Sequence, residues 1–201
     1  GGRARILRHD PSSGLDRLET ARISQASADQ RGGRAGRLGP GLVRRLWTRR
    51  DHSTRPPHEL PELQRVDLAG LVLELRAWGG SVAAFYEAPP APALARAEDL
   101  LVMLGALESG GGPLTALGQQ MRRVPAHPRV ARMLLAARDR DQLASAAWLA
   151  ACLQEGQSRP RHRTGRAAHA DLIEAAREAV GGPGRPPGHL LRLADALARS
   201  L

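Results

Sequence analysis

Five aromatic residues in 201, one Phe, one Tyr and three Trp, restrict what can fill the centre of any fold this chain adopts. Its interiors have to be built from Leu, Val and Ala. Ala and Leu together make up about a third of the residues, a composition that favours helices. The length allows one large domain or two to three small ones.

The basic residues exclude two chemistries. All 30 are Arg and none is Lys. A Schiff-base lysine is therefore ruled out, and so is a Walker A loop, which needs its Lys at the β- and γ-phosphates. Charge is uneven along the chain. Residues 1–50 hold 12 Arg against 4 acids, and residues 51–100 hold 4 Arg against 8 acids. The first fifty residues form a distinct electrostatic unit. Cys152 is the single cysteine, so one chain can form no disulfide framework or Cys-rich zinc site, and a reducing, cytoplasmic setting is expected. No apolar run is long enough to span a bilayer, and the start has no apolar signal region. The absence of Met at position 1 suggests a start inside a longer reading frame.

Ala4–His9 reads as a strand, 10–14 as a turn and Leu15–Ile23 as a second strand, together a hairpin. A helix is expected over 28–37, and Leu42–Thr48 reads as another strand after Gly39-Pro40-Gly41. The polar, Pro-rich stretch 49–62 reads as a boundary. Asp67 is placed to cap a helix through Trp78, closed by Gly79-Gly80. Ser81 could cap a short turn over 82–86. The prolines at 89, 90 and 92 break the chain before a helix over 93–104 with apolar positions at helical spacing. Leu107-Glu108 and Leu114 flank a Ser-Gly-Gly-Gly turn and read as a wing of two very short strands. Thr115 caps a helix through Arg123, and 128–138 and 141–154 form two antiparallel helices. Beyond a basic connector, 156–166, two further helical segments, 170–180 and 189–201, flank a Gly/Pro-rich loop at 181–188.

The stretch that carries chemistry is Ser27-Ala28-Asp29-Gln30-Arg31-Gly32-Gly33-Arg34-Ala35-Gly36-Arg37. Ser27 and Gln30 have the spacing of a capping box, so the helix is expected to begin there. On it Gln30, Arg34 and Arg37 fall within roughly a 60° arc. An amide and two guanidiniums on one stripe suit a phosphoryl group: planar forks for its oxygens and an amide able to hold a water. Gly33 and Gly36 each cost about 1 kcal/mol of helix stability relative to Ala, and their use is to let another backbone or a nucleotide come close. From spacing alone, a Gly-Arg-rich disordered tail or a solvated basic helix accounts for the same residues.

The string QRGGRAGR (30–37) resembles motif VI of superfamily 2 helicases in its DEAH form. Residues 8–30 resemble the hairpin before that motif, and LGPG (38–41) with RLW (45–47) resembles the end of the second RecA-like domain. DLAGLVLELRAWG (67–79) and LVMLGALESGGGPLTALGQQM (101–121) are similar to the family's degenerate winged helix. HPRVARMLLAA (127–137) is similar to the start of its helical ratchet domain. The Ser-Ala-Asp-Gln lead-in, the RLW and the Ala-Trp-Gly point to the bacterial HrpB-type branch.

The resemblance implies a mainly α fold with some β. It would consist of the C-terminal remnant of a RecA-like α/β domain at 1–50, a winged helix at 51–124 and a helical ratchet-like region at 125–201. It implies part of an ATP-dependent RNA or other nucleic-acid helicase, with Gln30 positioning the attacking water and Arg34 and Arg37 as arginine fingers on ATP. Arg31 would support the fold. The hairpin, roughly Arg5–Ile23, would help separate strands at the nucleic-acid channel. The implied partners are single-stranded RNA or DNA and the preceding RecA-like domains, with ATP and Mg²⁺ held mainly by those domains, no membrane and a monomeric state. Walker A, the DEAH box, the Ser-Ala-Thr motif and motif V do not occur in these residues. Hydrolysis by the isolated chain is therefore not expected. Arg44 stands where relatives often carry an aromatic, and 141–201 diverge. A non-enzymatic basic winged-helix module that binds nucleic acid is the alternative, and it has no need for an amide at the spacing of Gln30.

Other groupings are weaker. His58-Glu59-Leu60-Pro61-Glu62 lacks the second His of H-E-x-x-H, and Pro61 spoils a helix interior, so no metal site is expected. His162 and His169 read as solvated, and Cys152 as a small core residue. Trp78 and Trp148 read as core; Trp47 is open between packing and stacking on a base. Asp171, Glu174 and Glu178 read as a solvated stripe that can pair with Arg177.

Overall fold

The computed structural model describes residues 2–10, 14–82, 85–140, 142–154 and 188–201. The chain divides into two compact units, residues 1–67 and 68–201.

The first unit is built on a hairpin. Strand β1 (Arg3–Asp10) pairs antiparallel with β2 (Leu15–Arg22), with Leu7 opposite Leu18. The free edge of β1 is covered by the loop before position 67. The His9 N–H donates to the Arg65 carbonyl at 2.7 Å, and the Arg65 guanidinium donates to the Leu7 carbonyl at 2.6 Å and the Leu60 carbonyl at 3.1 Å. Pairing an edge in this way removes a template for association. Helix α1 (Gln25–Gly33) follows β2 and runs into a 3₁₀ turn, Arg34–Gly36. Residues 51–67, which the resemblance places in a winged helix at 51–124, group with this unit.

Two expectations fail here. The helix begins before Ser27, because Ser24 occupies the N-cap and its hydroxyl accepts from the Ser27 N–H. The segment 42–48 is not a strand: it is irregular with a bend at 46–47, and among the described residues no backbone–backbone hydrogen bond reaches 38–47, since no neighbouring strand lies beside it. Its last residue, Thr48, instead caps the short helix α2 (Arg49–Ser53) through the Asp51 N–H at 3.0 Å. The buried apolar side chains described in this unit are Ile23 and Ala28.

The second unit is helical. Helix α3 (Ala69–Trp78) has Leu68, not Asp67, at its N-cap position and closes on Gly79, whose φ of 68° is left-handed and suits glycine. Helix α4 (Ala91–Met103) begins two residues before its expected start. Pro92 sits in its first turn, where a missing N–H leaves no bond unmade. The Arg76 guanidinium of α3 meets the Glu98 carboxylate of α4 at 2.5 Å. The expected wing is a single antiparallel bridge between Leu107 and Leu114. Thr115 caps α5 (Ala116–Arg123), accepting from the Gly118 N–H at 2.9 Å. Helix α6 (Pro128–Arg138) has the bounds its sequence predicts, and α7 (Leu143–Gln154) and α8 (Gly188–Arg199) pack on each other. The core is aliphatic: Leu68, Leu101, Met121, Leu134 and Leu197 are among its fully buried side chains.

Trp78 is not core. It is 73% exposed, because Gly79 ends the helix just beyond it. Trp148 is half-buried, with its indole N–H enclosed. Cys152 is buried among alanines, and burial pushes its thiol up to about 11, which keeps it protonated and inert. Outside the described residues lie most of the connector after Gln154 and the 181–188 loop, the expected helix 170–180 with its acidic stripe, His162 and His169. Parts of the turns at 10–14 and 82–86 lie outside them too.

Candidate functional site

Gln30, Arg34 and Arg37 lie on one continuous helical path. The path tightens after Gly33: the Arg37 N–H reaches the Arg34 carbonyl at 3.4 Å, a 3₁₀ contact. Residues three apart eclipse in a 3₁₀ turn, so Arg34 and Arg37 project together, and the arc they share with Gln30 narrows to about 40°. All three side chains are exposed and have no hydrogen bond or ion pair among the described residues. A methyl group added at Gly33 or Gly36 meets nothing within 4 Å, so these glycines do not admit this chain's own described backbone. The close approach falls at Gly41, where an added methyl would lie 2.0 Å from the Ala35 carbonyl oxygen.

Neighbouring arginines are engaged differently. Arg45 pairs with Asp29 and approaches His52 Nε2 at 3.3 Å, which holds the irregular 42–47 segment against α1. Arg22 reaches Asp51 at 2.8 Å. Arg55 is 6% exposed and donates to the carbonyls of Gly2 and Ile23 and to the Asp51 carboxylate. The bonded Arg55 guanidinium holds the Asp51 carboxyl below its ordinary range, aided by Arg22 and His52. A cleft of about 700 Å³ opens beside this network, lined by Arg3, Arg22, Arg31, Arg44, Arg45 and Arg55, with Asp51 the one carboxylate among the described residues on its walls. Trp47, left open by the sequence, lies under the Arg55 guanidinium in a cation–π contact.

Ser24, Glu59 and Arg55 carry this geometry without having been singled out for it. The signal for Ser24 was a second serine three residues before Ser27; nothing local marks Glu59 as its partner. Ser24 is fully buried and gives its N–H and hydroxyl to the Glu59 carboxylate at 3.0 and 2.7 Å. Those two bonds, with Arg31 nearby, hold Glu59 below its ordinary range. The would-be metalloprotease glutamate is thus a helix clamp. Among the described residues no cluster of three or more His, Cys, Asp or Glu could hold a metal ion, and no helix is long and apolar enough to cross a membrane.

Residues 97–125 match the family model described as the helicase-associated domain (HA2), winged-helix. The chain is 45% identical over 154 residues to the ATP-dependent RNA helicase HrpB of Escherichia coli, covering 75% of this chain and 19% of that one. It is 41% identical over 143 residues to the ATP-dependent RNA helicase HrpA of the same organism, covering 68% and 11%. A crystal structure of the Escherichia coli DEAH/RHA helicase HrpB superposes with a TM-score of 0.70 at 36% identity, over 99% of this chain and 24% of that one. The chain therefore spans about a fifth of the curated relative first named. In sequence and fold it belongs to the DEAH/RHA helicase family, as a segment of that family which includes the helicase-associated winged helix.

Proposed function

We propose that this chain acts within an ATP-dependent RNA helicase, where it supplies the arginine-finger side of the ATP site and part of the RNA channel. One observation carries the reading. Arg22, Arg45 and Arg55 are engaged with Asp51 or Asp29, whereas Gln30, Arg34 and Arg37 stand exposed on one stripe with open space beside Gly33 and Gly36.

The donor set fits a phosphoryl group. Two guanidiniums present planar N–H forks, and the stripe itself carries no carboxylate to compete for them. Mg²⁺-bound ATP, held by RecA-like segments preceding this one, would supply the electrophilic γ-phosphorus. Gln30 orients a water through its amide. Arg34 and Arg37 donate to oxygens whose negative charge grows as the bond to the leaving group lengthens. The hairpin with its exposed Arg3 and Arg5 lines the RNA path. Alone, the 201 residues do not turn over ATP, since fingers act only on a nucleotide that other motifs hold.

The test uses a helicase in which this chain replaces the homologous stretch of Escherichia coli HrpB. Under single-turnover conditions with saturating ATP and RNA, Arg34→Ala and Arg37→Ala each lower the hydrolysis rate by roughly 10³, and Gln30→Ala also slows it. Arg34→Lys rescues poorly, because an ammonium lacks the fork. Arg44→Ala, off the stripe, stays within about threefold, under about 1 kcal/mol. Wild-type turnover in both finger variants with a crippled Arg44→Ala would reassign the stripe to a plain basic helix of a nucleic-acid-binding module.

A further inference from the structure

We propose that Glu59 is a positioning residue for the Gln30–Arg34–Arg37 stripe, acting through Ser24; this rests on the assignment of that stripe to ATP hydrolysis. The first N–H groups of a helix have no partner within it and are met by local side chains or water. In α1 they are met from the segment 56–59. The Ser24 N–H goes to Glu59 Oε1 at 3.0 Å, the Gln25 N–H to the Pro56 carbonyl at 2.9 Å and the Ala26 N–H to the Pro57 carbonyl at 3.0 Å. The Gln25 side-chain amide adds a bond to the Arg55 carbonyl at 2.9 Å.

Glu59 does the work of the missing half of a capping box. That motif puts Glu or Gln three residues after the cap, reaching back to the cap N–H. Here that position is Ser27, which is too short, and a carboxylate 35 residues along the chain replaces it. Because Ser24 Oγ donates to Glu59 Oε2 at 2.7 Å, its lone pairs stay aimed at the Ser27 N–H, 3.0 Å away. The clamp thus fixes both the direction and the rotation of α1 at its root. Arg34 lies ten residues on, about 15 Å along the axis at 1.5 Å per residue. A tilt of about 4° at the cap would move the stripe by about 1 Å, enough to cost a transfer reaction up to about 10²-fold.

Glu59→Gln keeps the shape but removes the charge and one of the two acceptors. Two measurements test the proposal. In the 201-residue chain, amide exchange at residues 24–27 should accelerate in Glu59→Gln. In the HrpB replacement helicase, kcat should fall about tenfold while KM for ATP stays within about twofold. Combined with Arg34→Ala, the substitution should add less than its own full loss, because part of the clamp's effect passes through Arg34 and the rest through Gln30 and Arg37. Glu59→Asp, which keeps both acceptors on a shorter arm, should retain more kcat than Glu59→Gln.

Unchanged exchange at residues 24–27, or wild-type kcat in Glu59→Gln while Arg34→Ala is crippled, overturns the clamp alone. So does a full additional loss in the double variant, which would mark Glu59 as a stabiliser of the fold only. Wild-type kcat in Arg34→Ala overturns the stripe assignment, and the clamp's catalytic role with it.

Discussion

The guanidinium carbon of Arg55 lies 4.4 Å from the centre of the Trp47 ring, in a contact that joins two segments flanking α2. The same guanidinium ties the start of β1, through the Gly2 carbonyl, to the end of β2, through the Ile23 carbonyl. With so few buried apolar groups in residues 1–67, this one cation replaces much of a core.

Arg55→Ala should therefore destabilise the first unit by about 3 kcal/mol, because it leaves the Ile23 carbonyl without its donor, takes from Asp51 the more buried of its two guanidinium partners and uncovers the indole. Arg55→Lys should recover less than half of that, since an ammonium cannot both lie flat on the ring and fork to three acceptors. Urea titration followed by Trp fluorescence reads the effect as a lower midpoint. An unchanged midpoint for Arg55→Ala would show that the network is incidental.

The Ser24–Glu59 clamp makes α1 acid-sensitive in a stated direction. Ser24's two bonds lower the Glu59 carboxyl from its ordinary 4.5 in the folded state. A depressed folded-state value contributes stability that is complete above the unfolded value and is lost as pH falls through the folded one. Unfolding free energy should thus decline below about pH 4.5. Glu59→Gln should flatten the part of that decline that Glu59 contributes, leaving the part from Asp51, whose carboxyl is also lowered. Identical acid profiles for the two proteins would remove Glu59 from the account.

Local signals located most of the helices. Pro128 at a first turn, Thr115 ahead of α5 and Gly79 after α3 each act on the nearest backbone groups, so their consequences are readable from adjacent residues. The start of α1 was misplaced because two serines three apart both offer a hydroxyl. The choice between them is made by Glu59, 35 residues from Ser24. The segment 42–48 has the composition of a strand, but a strand exists only beside another one. Trp78 has the spacing of a core residue, yet its neighbours leave it exposed. The stripe was legible because helical periodicity sets its geometry; its anchorage was not, because long-range hydrogen bonds leave no local pattern.

Binding of single-stranded RNA by the isolated chain should be weak and steep in salt. Arg3 and Arg5 are exposed and share one face of β1, two residues apart. Each phosphate contact to a single strand contributes about −0.7 to the slope of log K against log salt. Arg5→Ala should make the slope shallower by about 0.7 without changing sequence preference. Fluorescence anisotropy with a labelled oligouridylate across a salt series measures it. A slope that Arg5→Ala leaves untouched would place the RNA contact elsewhere.

Leu38 is 101% exposed, Leu42 92%, Leu46 87% and Val43 47%, and no backbone–backbone hydrogen bond reaches residues 38–47 among those described. An apolar stretch whose N–H and C=O groups make no backbone–backbone bond is open to strand pairing, and its exposed leucines favour a partner over water. In the helicase proposed above, a neighbouring RecA-like strand would be the cover for it; in the isolated chain a second copy is the available substitute. The isolated chain should then associate as concentration rises, and the expected monomer should hold only where this face is covered. Replacing Leu42 and Leu46 by Ser should have opposite effects in the two settings. It should lower the sedimentation-derived mass of the isolated chain at high concentration, because the exposed apolar area that drives pairing is removed. In the HrpB replacement helicase it should destabilise, by about 2 kcal/mol for each leucine that would be buried there. Sedimentation equilibrium supplies the first number and thermal unfolding the second. A double variant that leaves the mass unchanged and melts with the parent would show that these leucines stay in water in both proteins.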